Sequence, residues 1–191
     1  HTLESTTYLL RDADGKDYAI FSGDTLFLGD VGRPDLAIKQ GEITKYGYFV
    51  KNGCLKSYTL DHNGKEHILQ FAPENWLISD LDSFTNQIPS VIFIEAIEDS
   101  EVAFISKSEF NEISQLEKPE LIEIATKFRN NLIATNKRVI GLLSATAEQR
   151  YIDFTLLYPT LVQRLPLKLI ASYIGVTPEY LSEIRRKLAK K

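Results

Sequence analysis

The sequence predicts an α+β fold, with short strands up to about residue 106 and helices from there to the C-terminus. Three observations predict it. Up to Ser106, brief apolar runs alternate with turns rich in Gly, Pro, Asn and Asp. From Lys107 onward, apolar residues recur at steps of three and four. The charge is also uneven: residues 164–191 hold seven Lys or Arg against two Glu, although the whole chain of 191 residues carries −4. A basic end on an acidic body is expected where that end faces phosphates.

Composition narrows the class. With 43% hydrophobic and 25% charged residues, the chain is an ordinary globular sequence, long enough for one large domain or two small ones. No apolar run approaches the ~20 residues of a membrane span, and no signal-peptide pattern is present, so a cytoplasmic protein is expected. One cysteine, Cys54, excludes an intramolecular disulfide and any four-cysteine metal or iron–sulfur site. The chain contains no Met and opens on His1. A translated product does so only after processing or trimming, and a trimmed chain is the expectation.

Residues 6–11 and 17–22 read as two strands around the turn signal Asp14-Gly15. "GDVGRPDL", rich in Gly and Pro, reads as a loop. From residue 46, "YGYFVKNGCLKSYTLDHNGKEHILQFAPENW" is a succession of strands separated by "KNG" and "DHNGK". "SVIFIEAI" and "SEVAFIS" follow, parted by "EDS". Strands at this spacing suggest a sandwich or barrel. "KSEFNEISQL" reads as a short helix. Pro119 then opens a long one, suited to a first helical turn. Leu121, Ile124, Ala125, Phe128, Leu132, Thr135, Val139 and Leu143 form its apolar stripe. A stripe of six turns suits pairing with a second copy, while its first two turns serve equally well to pack on the barrel. Thr146 caps a further helix that Pro159 stops.

"LKLIASYIGVTPEYLSEIRRKL" has the mechanics of a helix-turn-helix. The first helix packs through Leu169, Ile170 and Ile174. Gly175 permits a left-handed turn. Thr177 caps the second helix and Pro178 occupies its first position. Leu181, Ile184 and Leu188 face inward. Pro178, Glu179, Ser182, Glu183 and Arg186 face outward, flanked by Tyr180 and Arg185. The start of such a helix enters the major groove, and later basic residues meet phosphates.

Taken in order, "YFVKNGCLKSY", "GKEHILQFAPENWLISDL", the long helix, "AEQRYIDF" and the terminal helix-turn-helix resemble the Crp/Fnr family of bacterial transcription regulators. The resemblance covers residues 40–191. It implies a cyclic-nucleotide-binding-like β-roll, a long dimerisation helix and a winged helix-turn-helix. The chain stops at Lys191, before a wing hairpin. The family's base-reading positions fall on Pro178, Glu179 and Glu183, and Thr177, Tyr180 and Ser182 adjoin them. Glu179 suits a cytosine amino group. Glu183 stands where many members place an arginine, which implies a different operator. Arg185, Arg186, Lys187, Lys190 and Lys191 are expected to supply salt-dependent phosphate affinity.

Family members that bind cyclic nucleotides hold the phosphate with a Gly-Glu pair and an Arg. The corresponding stretch, residues 75–97, contains no Gly, Arg or Lys but does contain Asp80 and Asp82, so cyclic AMP is not the expected effector. Trp76 and Phe84 either line a pocket for some other effector or belong to the core. His62 and His67 lack a third ligand and read as strand or surface residues.

"HTLESTTYLL…FSGDTLFLGDVGRPDL" resembles the metallo-β-lactamase superfamily, nearest its persulfide-dioxygenase and glyoxalase-II-like members. That resemblance places metal ligands at His1 and Asp24, suited to Fe or Zn. The family's "HxHxDH" cluster is missing, so an inactive fragment is expected, with no cofactor and no enzymatic activity. The two resemblances meet near "AIKQGEITKYGYF", as in a chimaera. The units expected are therefore a fragment at 1–39, a sensor roll at 40–118, a dimerisation helix at 119–144 and a DNA-binding domain at 145–191. The function expected is a homodimer that binds double-stranded DNA and an unknown small-molecule effector, without a membrane. The alternatives are a metal-dependent persulfide dioxygenase or thioester hydrolase, and an interaction module that does not bind DNA.

Overall fold

Residues 8–11, 17–22, 25–27, 40–111 and 118–190 are described by a computed structural model. Strands β1 (Tyr8–Arg11), β2 (Asp17–Ser22) and β3 (Thr25–Phe27) pair antiparallel in that order. Tyr8 stands opposite Phe21 and Ile20 opposite Phe27. The expected hairpin is therefore present, and its turn lies outside the described residues.

Six further strands make the roll: β4 (Tyr46–Asn52), β5 (Leu55–Leu60), β6 (Glu66–Ala72), β7 (Leu77–Ile78), β8 (Phe93–Ala96) and β9 (Glu101–Ser106). They form two antiparallel sheets, ordered β7-β4-β9 and β6-β5-β8. Alternation along the strands drives the packing. Tyr48, Val50, Ile78 and Val102 of one sheet meet Leu55, Ala72 and Ile94 of the other in one buried layer. The β4–β5 turn needs glycine at position 53, where φ is +86° and a Cβ would collide with Asp99 and Ser100.

Seven helices complete the described residues: α1 (Leu81–Asn86), α2 (Lys107–Asn111), α3 (Lys118–Ser144), α4 (Ala147–Leu157), α5 (Leu161–Arg164), α6 (Leu167–Ile174) and α7 (Pro178–Leu188). The expected cap of α4 is present, with Thr146 Oγ1 accepting from the Gln149 N–H at 3.2 Å. No described helix is long and apolar enough to cross a membrane.

The roll and the C-terminal helices share a core. Cys54, Tyr58, Ile68 and Phe71 pack with Tyr151, Phe154, Tyr158, Leu161, Ile170, Tyr173, Leu181 and Ile184 in one cluster. Phe71 meets the rings of Phe154, Tyr158 and Tyr173 at centroid distances of 6.1, 6.0 and 5.4 Å, within the range of favourable aromatic pairs. Tyr158 also donates its hydroxyl to Phe71 O at 3.1 Å. The boundary expected near residue 145 thus separates elements without separating cores. Burial pushes the Cys54 thiol up to about 12, which leaves it protonated and inert at neutral pH.

Candidate nucleic-acid interface and effector pocket

Helix α6 buries Leu169, Ile170, Ala171, Tyr173 and Ile174 against α4 and the roll. It ends at Gly175, whose φ of 72° is left-handed, and the Val176 N–H returns to Ala171 O at 3.0 Å. Thr177 Oγ1 then accepts from the Tyr180 N–H at 3.3 Å, with Pro178 beginning α7. Leu181 and Ile184 are buried, and Leu188 packs partly against the same core. Opposite them, Glu179, Ser182, Glu183, Arg185 and Arg186 are exposed, and Tyr180 is half exposed. Of the outward face expected from capping and spacing, Glu179, Ser182, Glu183 and Arg186 are exposed and Pro178 is half-buried. Acids occupy the first half of α7 and arginines its last turn, where cations complement the helix dipole.

Among the described residues, two basic side chains of this end pair with carboxylates of other elements. Lys187 Nζ bonds Glu148 Oε2 of α4 at 2.8 Å, so a residue expected at phosphates ties α7 to α4. Arg164 binds Glu74 at 2.9 and 3.1 Å and also pairs with Glu98, joining α5 to two loops of the roll. Hydrogen bonds from Arg164 hold the Glu74 carboxyl below its ordinary 4.5. A depressed folded pKa contributes stability above pH 4.5 and loses it as pH falls through the folded value. Thermal unfolding followed against pH should thus show the melting temperature falling below pH 4.5. Glu74→Gln should weaken the junction at neutral pH and remove that part of the acid dependence.

Two more arginines, unremarked in the sequence, hold the end of α6. Arg138 of α3 donates to Tyr173 O at 3.0 and 3.2 Å and to Ile68 O at 2.7 Å. Arg150 of α4 donates to Ile174 O and Ala145 O, both at 2.7 Å. Burial pulls the Arg138 guanidinium below its ordinary value, while the Tyr173 ring lies 4.5 Å from it. Spacing cannot reveal such roles, because the partners are backbone carbonyls distant in sequence.

The stripe on α3 divides between two uses. Ile124, Phe128, Leu132 and Thr135 line a cavity of ≈ 640 Å³, the size of a small-molecule site. The opposite wall is the β7-β4-β9 sheet, with Phe49 and Ile105, and Phe84 and Phe110 close one end. Leu132, Ile133, Val139, Ile140 and Leu143 remain exposed, Leu143 by 83%. The exposed face thus includes Ile133 and Ile140, which the expected stripe did not. The side chain of Leu121 lies outside the described residues.

Polar groups in the cavity are mostly paired. Lys127 binds Glu123 at 2.9 Å and lies 4.4 Å from the Phe49 ring centroid. Gln70 Nε2 and Asn131 Nδ2 both donate to Leu77 O, at 2.9 and 2.7 Å. Since Leu77 O can only accept, both amides turn their nitrogens to it, which leaves each amide oxygen as an acceptor. Of the expected effector pair, Phe84 lines this cavity and stacks edge-on to Phe110 at 5.5 Å. Trp76 does not line it. Its ring lies 5.3 Å from Tyr158 and packs into the shared core.

The stretch corresponding to a phosphate-binding segment forms α1, and Asp80 caps it. Asp80 Oδ1 accepts from the Ser83 N–H at 3.1 Å and Oδ2 from Ser90 Oγ at 2.7 Å. Both oxygens of the Asp80 carboxylate are thus used within the chain, one to cap α1 and one to accept from Ser90. Elsewhere, His67 pairs with Asp61 at 2.9 Å, and His62 is exposed beside Asn63. No group of three or more His, Cys, Asp or Glu among the described residues could hold a metal. His1 and Asp24 lie outside the described residues.

Comparison with known proteins agrees with this architecture. Residues 32–116 match the cyclic nucleotide-binding domain family. No curated protein matches the chain in sequence. Among solved structures, FixK2 from Bradyrhizobium japonicum superposes with a TM-score of 0.65 at 18% identity, over 98% of this chain and 86% of that one. The c-di-GMP-responsive global regulator CLP from Xanthomonas campestris gives 0.62 at 15% identity, over 81% and 82%. The CRP/FNR-family transcriptional regulator TTHA1359 from Thermus thermophilus gives 0.55 at 15% identity, over 81% and 84%. The chain therefore has the fold of these solved structures, and the cyclic nucleotide-binding domain model matches over its roll.

Proposed function

We propose that the chain is a Crp/Fnr-type transcription regulator that binds double-stranded DNA as a homodimer. The observation that carries this reading is α7, a capped helix with its reading face exposed, mounted behind a roll and a 27-residue helix. Glu179, Ser182 and Glu183 meet base edges, while Arg185, Arg186 and Lys190 meet phosphates. The exposed apolar residues of α3 supply the seam between copies. Replacing both Leu132 and Leu143 by Asp should turn a dimer into monomers in sedimentation and abolish binding to two-fold symmetric DNA. A variant that remains dimeric would place the interface elsewhere.

The cavity beneath α3 is the effector site in this reading. Its apolar walls, paired lysine and two amide acceptors suit an uncharged molecule with an apolar body and a hydrogen-bond donor. Cyclic AMP meets Asp80 instead of a cation, and adding it should leave the melting temperature unchanged. A true ligand at 100 times its Kd would stabilise the protein by about 2.7 kcal/mol. A rise with cyclic AMP would overturn this account of the pocket.

A further inference from the structure

Strand β6 is an edge strand of the roll, and an exposed edge leaves backbone groups unpaired. Side chains from the C-terminal half bind this edge. Ser172 Oγ of α6 accepts from the Ile68 N–H at 3.1 Å and donates to Glu66 O at 2.8 Å. Arg138 of α3 donates to Ile68 O on the same edge, and its other bonds reach Tyr173 O in the last turn of α6. One guanidinium therefore touches the sensor strand, the long helix and the first helix of the helix-turn-helix. Both residues act within a turn of Gly175, the pivot from which α7 departs.

The same elements reach the cavity. Asn131 lies two turns before Arg138 on α3 and bonds Leu77 O, and Gln70 of β6 bonds that same oxygen. A displacement of β6 against α3 must therefore strain the contacts of Arg138 and Ser172. Neither residue lies on the exposed face of α7, so neither reads a base.

We propose that Arg138 and Ser172 are positioning residues for DNA reading: they clamp α6 to the edge of β6 and thereby fix the direction of α7 relative to the dimer axis. The inference rests on the proposed DNA-binding function. In a two-fold dimer, that direction decides which half-site spacing both recognition helices can reach at once. Lysine at 138 should not replace arginine, because Nε and Nη2 together grip Tyr173 O while Nη2 also reaches Ile68 O, and a single ammonium lacks that paired donor geometry.

The test compares the wild type with Arg138→Gln, Arg138→Lys and Ser172→Ala, and with Lys51→Gln on the exposed surface of β4, away from the α3 seam and the cavity, as a control. Each binds a two-fold symmetric site found by selection with the wild type, the same site with base pairs inserted or removed at its centre, and an isolated half-site. Wild type and control should prefer one spacing by about tenfold or more, as a fixed pair of recognition helices requires. The Arg138 and Ser172 variants should bind the half-site within about twofold of wild type but discriminate spacings by less than about threefold, which loss of stability alone would not produce. Amide exchange across residues 66–71 and 167–175 should rise in the same variants, independently of DNA. Folded variants with wild-type spacing choice or unchanged exchange at those segments would overturn the clamp. A wild type without any preference for two-fold symmetric DNA would overturn the proposed function itself.

Discussion

Phe71→Ala is expected to cost roughly 3–5 kcal/mol, the range for removing a fully buried aromatic ring, and to weaken the roll and the C-terminal helices together. Phe71 has no exposed surface and touches three aromatic rings from α4, α6 and the residue after α4. Its loss opens a cavity at the centre of the shared core, where rigid rings of Phe154 and Tyr173 collapse poorly. Trp76, the single tryptophan, lies against Tyr158 at this junction and reports on it by fluorescence. Helix content by circular dichroism reports on the C-terminal half. In wild type the two urea transitions should coincide, as one cooperative unit requires, and in Phe71→Ala they should shift together. Separate transitions in wild type would show that the two halves fold independently.

Replacing Arg185 and Arg186 together by Glu should reduce DNA affinity by at least about 30-fold at physiological salt, the electrostatic share of two phosphate contacts, with repulsion adding to it. The slope of log affinity against log salt should become shallower by about two. Both side chains are exposed on the last turn of α7. Lys187, one residue on, is paired with Glu148, so Lys187→Ala should change the salt slope by less. Equal effects at 186 and 187 would contradict this division between phosphate contact and internal tie.

Most of the fold was legible because its determinants are local. Thr146, Gly175, Thr177 and Pro178 act within a few residues of their own helix ends, and the strands from 46 to 106 follow from alternation and turn residues. Where a side chain answers to a distant partner, the sequence was silent or misleading. Arg164 and Lys187 counted toward a basic surface, yet carboxylates from other elements hold both. Trp76 and Phe84 are both aromatic in the same stretch, but one packs into the shared core and the other lines the cavity. The periodicity of α3 revealed an apolar helix without saying that its first half meets the roll. Helix α1 is so short that its own cap, Asp80, dominates its chemistry.

The proposed function is tested most directly by selecting genomic fragments with the purified protein, at low and at moderate salt. The account predicts recovery of a two-fold symmetric site, with half-sites about one DNA turn or ~34 Å apart, bound less tightly as salt rises. A soluble, dimeric protein that enriches no sequence at either salt would contradict it.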